Sequence, residues 1–87
     1  MSLHKHFEKL QECFKVLLKS LESSWQLSHI EYIRDIVSHN EFEDAFANIW
    51  VIQGLNRVEF TLEQLGLLKD IAPFVGYYFM NNIIQSK

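Results

Sequence analysis

Eighty-seven residues suffice for one domain, although a chain of this size buries only about 60–65% of its unfolded surface. A hydrophobic content of 48%, with 14% aromatic, excludes a disordered chain, while three glycines and one proline are too few turn formers for a strand-rich sandwich or barrel. The net charge of −3, from eight basic and eleven acidic residues, argues against a nucleic-acid ligand, whose phosphates require clustered Lys and Arg.

Leu3, Phe7, Leu10, Phe14, Leu17, Leu18 and Leu21 recur at steps of three and four, the period of one helical face. Lys5, Glu8, Lys9, Glu12, Lys15 and Lys19 fill the other side, and Ser2 is placed to cap a rod of about 30 Å. Ser23-Ser24 ends this helix, and Trp25 is predicted to fold back as a lid on the core. Ser28 and Glu31 have the spacing of a capping box, opening a short helix with Ile33, Ile36 and Val37 inward. His39-Asn40 breaks it. Asn40 is then predicted to cap the next helix, whose inner face is Phe42, Ala45, Phe46, Ile49 and Trp50 and whose C-terminal stop is Gly54. Val58 and Phe60 fall in a connector with room for a brief extended stretch. Thr61 and Gln64 make a second capping box, before a helix with Leu62, Leu65, Leu68, Ile71 and Ala72 inward, which Pro73 kinks or divides from a last one. These spacings predict an all-α domain over residues 1–87, a compact bundle of four to five helices with short connections.

The longest apolar-rich stretch, Ile71 to Ile84, is interrupted by Pro73, Gly76, Asn81 and Asn82 and falls short of the roughly 20 residues of a membrane span. The opening Met1-Ser2-Leu3-His4-Lys5-His6 is polar where a secretory signal is apolar, and the lone Cys13 allows no internal disulfide. Both point to a cytoplasmic protein. Catalytic signatures are missing: no Ser/His or Cys/His nucleophile pattern, no glycine-rich phosphate loop and no HExxH. Neither an enzyme nor a cofactor is predicted. Cys13 reads as a half-buried small apolar residue, and His4, His6, His29 and His39 are too dispersed for a metal site.

The middle of the chain is more informative. From Glu31 to Asp44 it carries Glu31, Asp35, Glu41, Glu43 and Asp44 against the single cation Arg34, a net −4 where the whole chain is −3. Helix-start electrostatics account for Glu41, Glu43 and Asp44, since acids are favoured in a first turn. They do not account for Glu31 and Asp35, which share a face at a spacing where like charges repel. A negative surface that steers a basic partner explains both groups. Apolar residues are also in excess around Ile49-Trp50-Val51-Ile52 and over Phe74 to Met80, either because the third helix is central with the tail wrapped round it or because some of Trp50, Tyr77, Tyr78, Phe79 and Met80 lie outside the core as interface anchors.

The run Ile33-x-x-Ile36-Val37-Ser38-His39-Asn40-Glu41-Phe42-Glu43-Asp44-Ala45-Phe46-Ala47-Asn48-Ile49-Trp50-Val51-Ile52, a break, and Phe60-Thr61-Leu62-Glu63-Gln64-Leu65-Gly66-Leu67-Leu68 resembles the small helical immunity proteins of bacterial polymorphic-toxin systems, of the kind paired with contact-dependent growth inhibition and Maf toxins. Asn40-Glu41-Phe42 takes that family's turn, Ala45 its small position and Thr61-Leu62-Glu63 its capped helix start, across roughly 36 of the 87 residues. Asn40 stands where the family usually has Gly, a substitution that the left-handed backbone of such a turn tolerates. The resemblance implies a cytoplasmic antidote that binds the C-terminal domain of a cognate toxin, in many cases a nuclease, and occludes its active site. Glu31, Asp35, Glu41, Glu43 and Asp44 would then supply the charge complement, with Phe42 and Trp50 as hydrophobic support. The other reading is a self-associating helical adaptor, with the aromatic C-terminal segment completing a homodimer.

Overall fold

Apolar residues at helical spacing have to find a common interior, and in the computed structural model, which describes residues 3–57 and 59–75, they do so through four helices. These are α1 (Leu3–Leu21), α2 (Leu27–Ser38), α3 (Phe42–Asn56) and α4 (Leu62–Val75). The described residues contain no strand. α1 packs on α2 and α4, and α3 packs on the same two helices, so the four form a ring around one core. The connections, residues 22–26, 39–41 and 57–61, are short, and successive helices are neighbours in the ring. Phe14, Leu17, Leu18, Ile30, Ile33, Phe46, Ile49, Leu68 and Ile71 are its most enclosed side chains. Trp25 closes one end as a buried lid, its backbone N–H donating to the Leu21 carbonyl at 2.8 Å. Ser2, Val58 and the tail beyond Val75 lie outside the described residues.

Three helix boundaries depart from the sequence reading. α2 begins at Leu27 behind Gln26, so Ser28 sits exposed inside the first turn and forms no capping box with Glu31. The buried Trp25 fixes the chain so close to the helix that the carbonyl of Gln26 already accepts from His29 and Ile30. Asn40 ends α2 rather than capping α3. At φ 60° it is left-handed, its N–H donates to the Val37 carbonyl at 2.9 Å, and the Glu41 N–H reaches the Ile36 carbonyl at 3.3 Å, the paired bonds of a Schellman closure. Gly54 does not stop α3. The helix continues to Asn56, and the left-handed residue is Arg57, at φ 58°, donating to the Gln53 carbonyl at 2.9 Å.

α4 begins as its residues predict. The Thr61 N–H donates to Gln64 Oε1 at 2.9 Å, and the Gln64 N–H donates to Thr61 Oγ1 at 3.1 Å, closing the capping box. Leu62 is not inward but 87% exposed, because the inward stripe is Gln64, Leu68, Ile71, Ala72 and Val75, and Leu62 lies about 120° around the helix from Leu68. The buried Gln64 is satisfied on every side: its Nε2 also donates to Ser20 Oγ at 2.7 Å, tying the start of α4 to the end of α1. α4 runs through Pro73 to Val75, the last of the described residues.

Candidate functional site

The short α2–α3 connection sets the acidic region. Asn40 is held there by its Oδ1, which accepts from Gln11 Nε2 of α1 at 2.8 Å, so Glu41, Glu43 and Asp44 are fixed relative to the first helix. Glu41 is the residue before α3 and makes no side-chain capping bond, while Glu43 and Asp44 occupy its first turn beside the positive end of the helix dipole. All three are exposed. They border an open groove of about 460 Å³ with Phe7, Phe42, Phe74 and Val75, where the start of α1, the start of α3 and the end of α4 meet. Its floor is aromatic and its rim acidic. Lys9 already places its Nζ 5.9 Å from the centroid of the Phe74 ring, showing that this ring accepts a cation.

Glu31 and Asp35 occupy a different place. They lie one turn apart on the outer face of α2, both exposed, and neither borders the groove. Arg34, the nearest cation in sequence, turns away from them and pairs with Glu22 at 3.1 Å. Among the described residues none of the five acids is in an ion pair. The structure thus divides the acidic run into a three-residue rim and a two-residue stripe. A second groove, of about 680 Å³, separates α1 from α2 and is lined by Glu8, Gln11, Glu12, Lys15, Leu18, Arg34, Val37 and Ser38. Its charges are mixed.

The two aromatics differ from the acids in exposure. Phe42 is buried in the core, 5.5 Å from the ring of Phe7 and stacked 5.9 Å from Phe14, so it supports the acidic turn from beneath and offers almost no surface of its own. Trp50 is half-buried, edge-on to Phe46 at 6.2 Å and to Phe60 at 5.2 Å. Its Nε1 is buried without a hydrogen-bond partner, as are Gln53 Oε1 and Asn56 Nδ2 further along α3. Sequence reasoning missed Phe7 and Phe74 as groove residues; Phe7 meets Phe42, and Phe74 comes to the same groove, only through tertiary packing that no local spacing announces.

Cys13 is half-buried, and its thiol is pushed above its ordinary value of 9.0, first by burial, then by Asp70 and Glu12 against the opposing pull of Lys9. A raised thiol is a poor nucleophile near neutrality. Among the described residues no three His, Cys, Asp or Glu side chains converge on a point that would hold a metal ion, and no helix is long and apolar enough to cross a membrane. No family model, curated protein or solved structure matches the chain.

Proposed function

We propose that this chain is a cytoplasmic immunity protein that neutralises a cognate bacterial toxin domain by stoichiometric binding, covering a basic active site such as that of a nuclease. One observation carries the reading: five carboxylates over residues 31–44, on α2 and at the start of α3, are exposed and unpaired among the described residues. Glu31 and Asp35, one turn apart on α2, repel one another and weaken the fold slightly, so a binding role gives these two a purpose that stability does not, whereas Glu43 and Asp44 are already favoured by the α3 dipole. The resemblance over residues 33–68 supplies the class of partner, and the groove rimmed by Glu41, Glu43 and Asp44 supplies an acidic place for a Lys or Arg side chain of that partner. Trp50 and the core residue Phe42 hold the acidic helices in position. No catalysis by this chain is required.

The test starts from the neighbouring reading frame: a toxin C-terminal domain encoded there is the partner to assay, and its absence would count against the proposal. Wild type is expected to protect cells that express that domain and to bind it faster at low salt than at high salt. Glu31→Lys with Asp35→Lys should slow association about tenfold or more at low salt while leaving helical content intact. Association unchanged at both salt concentrations would remove α2 from the interface. The same comparison with Glu43→Lys and Asp44→Lys examines the groove.

A further inference from the structure

The two acids on α2 have apolar neighbours that the sequence pattern did not single out. At about 100° per residue, Glu31 and Asp35 lie about 40° apart around the helix. Leu27 sits about 40° beyond Glu31 on one side, and Tyr32 about 60° beyond Asp35 on the other. The four side chains thus share an arc of about 140°, with the carboxylates flanked by the Leu and the Tyr. The opposite side of α2, Ile30, Ile33 and Val37, belongs to the core. Tyr32 is 53% exposed, the most of any aromatic among the described residues, and Leu27 is 62% exposed. Tyr32 makes no hydrogen bond and no ring contact among the described residues. An exposed Tyr on a helix loses χ1 freedom against the preceding turn and buries no area in return, so stability does not ask for one here.

The basic side chains nearest in sequence leave this face uncompensated. Arg34 pairs with Glu22 at 3.1 Å, and His39 turns its Nδ1 onto the Asp35 backbone carbonyl at 2.9 Å. We propose that the face formed by Leu27, Glu31, Tyr32 and Asp35 docks a basic segment of a protein partner, with Tyr32 as the anchor for an arginine. The guanidinium stacks on the Tyr32 ring and donates to the Asp35 carboxylate, three residues along on the same side of the helix. Glu31 adds charge and Leu27 an apolar contact. Arginine fits both halves of this site, because its plane stacks on aromatic rings and its donors match a carboxylate, whereas Lys offers only a point charge. The unpaired carboxylates fix the sign of the partner, and an exposed Tyr among them is a residue type that carries interface energy. The inference rests on the toxin-binding reading and deepens it, since it names the aromatic and the partner side chain. Phe42 and Trp50 offer too little surface for that part.

Binding kinetics of the full chain with the toxin C-terminal domain encoded in the neighbouring reading frame separate charge from anchor. Tyr32→Ala should leave the association rate within about twofold and speed dissociation about tenfold or more, at low and high salt alike. Tyr32→Phe keeps the ring and should dissociate within about threefold of wild type. Leu27→Ala should speed dissociation less than Tyr32→Ala. All three should keep the wild-type circular dichroism spectrum, because both side chains are exposed. Phenylglyoxal labelling of the toxin domain, mapped by mass spectrometry, should find an arginine that the bound chain protects. A toxin domain that binds but leaves Tyr32→Ala no faster than wild type, or that has no protected arginine, would overturn the anchor while the neutralisation reading stands. A domain that does not bind the wild-type chain removes that reading, and this inference with it.

Discussion

Gln64 shows how much one buried polar side chain can connect. It closes the capping box with Thr61 and reaches Ser20 across the bundle, so its two ends are separable by substitution. Gln64→Glu keeps the acceptor that the Thr61 N–H needs, since Glu serves in a capping box as well as Gln, but replaces the donor to Ser20 with an acceptor. Gln64→Leu removes both. We expect Gln64→Leu to cost about 1–3 kcal/mol in urea denaturation and Gln64→Glu less than that, with an equal loss for the two showing that the Ser20 bond dominates. Cys13 is a second residue-scale case. With its thiol raised by burial and by Asp70, the neutral form is favoured in the folded state. Stability should therefore fall as pH rises past the ordinary thiol value of 9.0, and alkylation at neutral pH should run slower on the folded chain than on the urea-unfolded one. Equal rates would place the thiol in open solvent.

At the scale of elements, the helix ends hold the informative disagreements. The Thr61 start was legible because a capping box is a strictly local pattern, whereas Asn40 was expected to cap α3 and instead closes α2, because an Asn suits a left-handed helix end as well as a helix start. Ser28 and Gly54 misled for the converse reason: both have the right residue type, but the burial of Trp25 and of Ile52 carried the helix boundaries past them. Leu62 was placed inward on hydrophobicity alone, which says nothing of the angle around α4. Two substitutions follow from the α3 end. Gly54 is helical with open space around its Cα, so Gly54→Ala should stabilise the monomer by about 0.5–1 kcal/mol. Arg57 holds a left-handed backbone that Gly adopts freely, so Arg57→Gly should add about 0.5–1 kcal/mol as well. Thermal denaturation measures both. A fall in Tm for Gly54→Ala would mean that the helix is not formed through that position.

At the scale of the whole molecule, the acids and the core beneath them can be separated. The five carboxylates were legible as a charge cluster, but their division into a groove rim and an α2 stripe depended on how Gln11 and Asn40 fix the α2–α3 turn to α1, a contact between residues far apart in sequence. Phe42 belongs to both worlds: it borders the groove, yet it is stacked on Phe14, tilted against Phe7 and nearly inaccessible. Phe42→Ala is expected to cost about 3–5 kcal/mol, a large part of the 5–15 kcal/mol that holds a typical domain together. Lost binding in that variant would therefore report unfolding. Phe42→Leu retains an apolar side chain in the core and should cost less, so the folded protein keeps its acidic turn. If the carboxylates carry recognition, Phe42→Leu binds the partner at nearly wild-type affinity, whereas Glu31→Lys with Asp35→Lys melts near wild type but associates slowly. The opposite result, with Phe42→Leu folded but unable to bind and the charge variant unaffected, would move the interface from the acidic rim to the aromatic floor.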